Sequence, residues 1–372
     1  MSARMILITL CIYILYITDV TSVPLVGHLF IIMFENQAYD DVINDMYWSK
    51  LATYGLTLTN MYALTHPSQP NYIAQLGGSM FIDEYGNYRD NNIDIDALNV
   101  VDLLEQKDIT WRAYQEDYVP LENGMCNPAN NINNRYYRKH LPHMSFIDIN
   151  TNIQRCQNIV NSAQLDIDLQ NHLLPQLSYY TPNILNDCHD TGYEYCGQWL
   201  SAWLNEYWEL LPDDTLIILA YDEDNGKHQN KIANILLGPY IVPNTTSDEY
   251  FTQYSLTRLF EQLYDVPSLN RDEINVNSYY DLLHPITSDS VKRNRQLISQ
   301  LQNIPYPVPT FWQLHKHMQI VLYIVLAVLL IIAVLATLIY CGVKRYRISK
   351  DADRKQLMDS RNELSDDLDT VF

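Results

Sequence analysis

The sequence predicts an α/β fold, a mostly parallel sheet with helices on both faces, carrying one C-terminal transmembrane helix. Three observations predict it. Short continuous apolar runs, Leu29–Phe34, Leu216–Tyr221 and Ile235–Leu237, suit strands buried on both faces of a parallel sheet. Segments with apolar residues at helical spacing lie between them, and that alternation marks an α/β sheet. Met318–Val343 is almost wholly apolar and carries no charge, long enough to cross a bilayer with some tilt.

The elements follow in chain order. Arg4 precedes the apolar run Met5–Ile17, and Val20-Thr21-Ser22 suits cleavage after Ser22, so residues 1–22 read as a signal peptide. An uncleaved anchor is the alternative. Leu29–Phe34 is the first strand. Asp96–Lys107 has helical periodicity, and Ile109–Tyr114 and Ser178–Tyr180 are further strand candidates. Gly197–Leu211 places Leu200, Leu204, Trp208 and Leu211 on one helix face, and Ser255–Tyr264 is similar. Beyond Asp265 the pattern weakens. Pro305, Pro307 and Pro309 favour an extended spacer. The expected organisation is a domain over 23–290, a stalk over 291–317, the span over 318–343 and a tail over 344–372. Lys344-Arg345-Tyr346-Arg347 beside the span marks its cytoplasmic side and puts the domain outside the cytosol, in an extracellular or lumenal space. The tail runs from basic to acidic and reads as disordered. Its last residues, Thr370-Val371-Phe372, are a short match to a PDZ-type partner's ligand, against the alternative of an inert tail.

Among the 372 residues the net charge is -20, which argues against a nucleic-acid-binding surface. Four cysteines fall in the domain: Cys126, Cys156, Cys188 and Cys196. In an oxidising compartment they imply disulfides, and of the three possible pairings Cys126–Cys156 with Cys188–Cys196 is preferred because each pair closes a local loop. Asn244-Thr245-Thr246 is a glycosylation sequon in a turn-like stretch.

Candidate chemistry lies at strand ends. In α/β sheets ligands bind beyond the carboxyl ends of the strands. Glu35 and Asn36 follow the first strand, and Asp222 and Glu223 follow the Leu216–Tyr221 strand. Such pairs either converge on a divalent cation or cap the next helices. In His66-Pro67-Ser68-Gln69-Pro70-Asn71-Tyr72, two prolines stiffen the backbone around a serine, which makes either a presented nucleophile or an ordinary loop. Asn183–Gly192 carries Asp187, His189 and Asp190 in a loop that a Cys188–Cys196 bridge would clamp. The alternative is a surface loop with an incidental histidine.

These strings in this order resemble the phosphoesterase family of secreted acid phosphatases and bacterial phospholipases C, within the alkaline-phosphatase-like superfamily. The residues carrying the resemblance are Glu35-Asn36 with Tyr39-Asp40, the His66–Tyr72 stretch, Gly77-Gly78, and Tyr180-Thr181-Pro182-Asn183. Asp187, His189-Asp190-Thr191-Gly192, Asp222-Glu223 and Gln229-Asn230-Lys231 complete them. The match covers most of the domain and looks most like the fungal-type acid phosphatases. The resemblance implies a divalent metal ion held by Glu35, Asn36, Asp222 and Glu223, with Ser68 as nucleophile. It makes His66 and His189 phosphate-site histidines and Asp190 an orienting partner. Where phospholipase-type members carry an Asp-His pair, Asn230 stands here, with His228 two residues earlier, and both are candidates.

The implied activity is hydrolysis of a phosphoric monoester through a phosphoserine intermediate. A serine hydroxyl is a weak nucleophile that needs a metal or base to activate it. A cationic histidine that stabilises phosphoryl oxygens would favour mildly acidic pH. The alternatives are a phospholipase C or nucleotide phosphodiesterase on the same fold, or a non-catalytic receptor or adhesion protein.

Overall fold

The computed structural model describes residues 25–301, apart from 83–85, 87–89, 91 and 92, and then parts of 325–358. The chain divides into two units, Met1–Tyr306 and Pro307–Phe372. In the first, eight strands form one sheet. They are β1 (His28–Phe34), β2 (Leu56–Leu58), β3 (Trp111–Gln115), β4 (Ile159–Asn161), β5 (Leu177–Thr181), β6 (Thr215–Tyr221), β7 (Asn234–Leu237) and β8 (Thr245–Ser247). Their order across the sheet is β8-β2-β7-β6-β1-β5-β3-β4. β7 pairs antiparallel with both β6 and β2, and every other pairing is parallel. The expected mostly parallel sheet therefore forms around one reversed strand. The apolar run Ile235–Leu237 reads the same in either direction, because β7 is buried on both faces.

β1 lies at the centre, in register with β5 from Leu29↔Leu177 and with β6 from His28↔Thr215 to Phe34↔Tyr221. β6 is buried along its whole length and β1 from Leu29 onward. Three neighbouring parallel strands thus end on one rim. Phe34, the last residue of β1, packs edge-on to Trp48 at 5.3 Å and lies 5.4 Å from the Tyr221 ring at the end of β6. Such pairs contribute roughly 0.5–1.5 kcal/mol each beyond buried area and hold the two strand ends together.

The helices begin where capping allows. Val100–Glu105 starts at a capping box, with Asn99 accepting from Val101 and Asp102 accepting from Asn99 N–H, so it is shorter than the periodicity of Asp96–Lys107 suggests. The Tyr193–Tyr207 helix begins four residues before the expected Gly197 and buries Leu200 and Leu204. The expected Ser255–Tyr264 helix runs over Tyr254–Leu263. Both disulfides, Cys126–Cys156 and Cys188–Cys196, are formed. Asn244 is exposed in the turn before β8.

One expectation needs correction. Residues 291–301 are no stalk. Ser288–Leu301 is a helix that buries Ser290, Asn294, Ile298 and Leu301, an i, i+4, i+8, i+11 stripe. Arg293 donates to the Ile241 carbonyl at 2.9 Å, and Arg295 pairs with Asp213. The prolines of the expected spacer lie outside the described residues, as do the expected signal peptide, the start of the expected span and Thr370–Phe372. In the second unit, a 19-residue helix over Val328–Tyr346 is, by length and composition, long and apolar enough to cross a membrane.

Candidate active site

The carboxyl ends of β1 and β6 converge as the strand order requires. The Asp222 N–H donates to the Phe34 carbonyl at 3.1 Å, and the Asn36 N–H donates to Asp222 Oδ1 at 3.1 Å. Asn36 has a positive φ of 52°, a left-handed conformation that asparagine tolerates and that turns the chain sharply off the strand. From the end of β5, the loop returns so that the Asp187 carbonyl accepts from the Glu35 N–H at 2.7 Å. The Glu35, Asp187, Asp222 and Glu223 side chains are all buried at this junction.

The His66–Tyr72 stretch is not a loop throughout. Ser68 is the first residue of a helix, Ser68–Gly77, and is itself buried. Pro67 caps the helix and Pro70 sits in its first turn, where a missing N–H costs nothing. The helix's positive end therefore faces the acidic rim. Ser68 Oγ donates within this rim, 2.8 Å from Glu223 Oε1 and 3.3 Å from Glu35 Oε2. One turn on, the Tyr72 hydroxyl donates to Glu35 Oε1 at 2.6 Å.

Three histidines lie along this rim. His66 lies with Nδ1 2.6 Å from Glu223 Oε2 and Nε2 3.2 Å from Asp224 Oδ1. Asp224 is fixed in turn by the N–H groups of Gly226, His228 and Asn230. His189 Nδ1 is 2.7 Å from Asp190 Oδ1. His140 is buried, 3.1 Å from Glu35 Oε1 and 3.6 Å from Asp187 Oδ2, and stacks on Tyr72 at 5.5 Å. An open cleft of about 480 Å³ exposes this centre, lined by residues that include Asn36, His66, His189, Asp190 and Glu223.

Electrostatics at the centre are unbalanced. Burial, then the neighbouring Asp187, pushes Glu35 well above the usual carboxylate range. Burial pushes Asp187 up as well, and Asp222 rises by burial and then by Glu35 and Glu223. Burial, then Lys139, holds His140 well below the ordinary histidine value, so it is a neutral ring able to coordinate. Three buried acceptor oxygens, Asn36 Oδ1, Asp187 Oδ2 and Asp222 Oδ2, have no hydrogen-bond donor. Oxygens of this kind, among crowded carboxylates, fit a divalent cation. Glu35, His140 and Asp187 also offer ligand atoms within 4.8 Å of one another.

Eight of the sequence candidates thus meet at one place: Glu35, Asn36, Asp222, Glu223, Ser68, His66, His189 and Asp190. Asn230 and His228 are placed differently. Asn230 uses its amide to accept from Asp224 N–H and to donate to the Thr65 carbonyl, bracing the turn, and the His228 side chain is exposed. His140 escaped sequence reasoning. It lies in a short helical turn, Arg138–His140, whose segment has no periodic pattern to mark it. Asp187 stood in the sequence as part of the Asn183–Gly192 loop and of the family resemblance, without a role of its own, and Asp224 follows Asp222-Glu223 directly after β6.

The model of the phosphoesterase family matches residues 37–267. A probable acid phosphatase of Kluyveromyces lactis is 36% identical over 259 residues, covering 67% of this chain and 60% of that protein. An acid phosphatase of Aspergillus fumigatus is 36% identical over 262 residues, covering 68% and 58%. The phosphatidylinositol-3-phosphatase of Mycobacterium tuberculosis is 26% identical over 255 residues, covering 66% and 80%. Among solved structures, a Vibrio parahaemolyticus protein of the alkaline phosphatase superfamily aligns with a TM-score of 0.44 at 13% identity, over 75% of this chain and 88% of that one. The chain spans about three fifths of the length of the first two relatives.

Proposed function

We propose a phosphomonoesterase activity of the acid phosphatase type for this chain, which belongs to the phosphoesterase family. The observation that carries the proposal is the buried Ser68 hydroxyl, at the positive end of a helix, within hydrogen-bond reach of Glu35 and of Glu223, which itself lines the open cleft.

Ser68 Oγ attacks phosphorus in line with the leaving alcohol. Its proton has Glu223 Oε1 as the acceptor, 2.8 Å away. The bond from phosphorus to the leaving oxygen breaks. His189, held at Nδ1 by Asp190, has Nε2 left to protonate that oxygen. Water then hydrolyses the phosphoserine and restores the hydroxyl. The positive end of the Ser68–Gly77 helix stabilises the phosphoryl oxygens, and His66, bonded through its two ring nitrogens to Glu223 and Asp224, lies beside them. Glu35, Asn36, Asp222 and Glu223 would hold a divalent ion, with Asp187 and His140 beside them. Such an ion, when bound, lowers the serine pKa and screens phosphoryl charge.

The same reading gives the chain a signal peptide over 1–22, one span with the active domain outside the cytosol, and glycosylation at the exposed Asn244. The apolar Val328–Tyr346 helix and the disulfides favour that placement. The activity test is a substrate pair. The full chain in detergent, supplied with divalent metal, should hydrolyse p-nitrophenyl phosphate much faster than bis-p-nitrophenyl phosphate. The reverse preference points to a phosphodiesterase, and no turnover of either substrate removes the proposal.

A further inference from the structure

A chain of buried amides lies behind the site and connects its two halves. Past Leu219 the pairing of β6 with β7 ends. The carbonyls of the last β6 residue and of the residue after it take a side-chain partner instead. Gln253 Nε2 donates to the Tyr221 carbonyl at 2.9 Å and to the Asp222 carbonyl at 2.6 Å. Gln253 Oε1 accepts from Gln75 Nε2 at 2.8 Å, and Gln75 Oε1 accepts from the Tyr179 hydroxyl at 2.6 Å. All three side chains are completely buried.

The direction of this chain is forced. Two backbone carbonyls only accept, so Gln253 must present its NH₂ to them and its oxygen to Gln75. Gln75 must then donate to Gln253 and accept from Tyr179. Tyr179 must keep its proton, which fits a hydroxyl pushed well above its usual range by burial, Asp222 and Glu35. Each group has a single satisfactory orientation, and an unmade bond here leaves a buried polar group unpaired.

Gln75 sits on the helix that Ser68 begins. Ser68, Tyr72 and Gln75 follow an i, i+4, i+7 spacing and share one helix face. Ser68 reaches Glu223, Tyr72 reaches Glu35, and Gln75 reaches Gln253, which holds the backbone of Asp222. Thr257, one turn beyond Gln253, also donates to the Ala74 and Gln75 carbonyls.

We propose that Gln75 and Gln253 are positioning residues that fix the Ser68 helix against the Asp222-Glu223 end of β6, setting the distance between nucleophile and acidic rim. Neither touches the cleft. The proposal rests on the phosphoesterase reading for its kinetic consequence and on geometry alone for its structural one, so the two are tested separately.

The variants are Gln253→Met and Gln75→Met, close in volume and unable to donate, together with the double variant. Each single should lower kcat on p-nitrophenyl phosphate at least tenfold and leave KM within twofold. The double should lose no more than the worse single, because both break one chain. Amide hydrogen exchange at Tyr221–Asp224 should quicken at least tenfold, with Phe30–Ile32 unchanged. A normal kcat and unchanged exchange in either folded single overturns the proposal, as does a double loss equal to the product of the singles. If one single does not fold, the other decides. A wild type without turnover defeats the phosphoesterase reading, and the exchange pattern still decides whether the two glutamines position the strand end.

Discussion

Each buried carboxylate at the strand ends is in an unfavourable state by itself. Glu35, Asp187 and Asp222 have protonation equilibria raised by burial and mutual repulsion. Protons and a divalent ion therefore compete for the same oxygens, and lowering the pH favours the proton. Titration of the metal-free protein with Mn²⁺ should show tighter binding at pH 7 than at pH 5. Glu35→Gln should weaken binding at least tenfold at pH 7 while the protein stays folded, since little volume changes. Equal affinity at both pH values, or unchanged binding in the variant, refutes the assignment of these residues as ligands. His143 is a second residue with a legible titration. It is buried flat against Trp111 at 5.2 Å, and burial lowers its pKa to about 3. The unfolded chain takes up a proton near the ordinary value of about 6.5. Stability contributed by the neutral ring is therefore present above that value and is lost as pH falls toward 3, at up to about 1.4 kcal/mol per pH unit. His143→Phe should unfold at a temperature that depends less on pH than the wild type between pH 6.5 and 4. Parallel curves refute the assignment.

Elements show how far a sequence carries. β1 and β6 were legible because each is a continuous apolar run buried on both faces, and the acidic residues after them sat where strand ends place ligands. The direction of β7 was not legible, because burial alone has no polarity. The Ser68–Gly77 helix was hidden by Pro67 and Pro70, which stiffen a loop and also begin a helix. His140 lacked any signal, since its place beside Glu35 depends on tertiary packing across more than a hundred residues. The Ser288–Leu301 helix was missed because its buried stripe includes the polar Ser290 and Asn294. It is part of the domain, so Ile298→Ala should destabilise the domain by about 2–4 kcal/mol in urea, as a buried isoleucine does. A change within a few tenths of a kcal/mol would return the segment to a stalk.

At the scale of the whole molecule, the site is an assembly of distant segments. β1 brings Glu35, the first helix after the cis His66–Pro67 bond brings Ser68, the Cys188–Cys196 loop brings His189, and β6 brings Glu223. In sealed vesicles, external protease should remove only the tail and leave the Asn244 region intact, and loss of that region would reverse the proposed topology. The central claim is that this assembly makes Ser68 a covalent nucleophile. Its most direct measurement is rapid acid quench of the full chain turning over a ³²P-labelled monoester, followed by peptide mapping. The label should be trapped on the Ser68 peptide. Ser68→Ala should bind Mn²⁺ as the wild type does, trap no label and lose turnover by several orders of magnitude. Near-normal turnover in Ser68→Ala, with no labelled peptide in the wild type, would contradict the account and assign the attack to water.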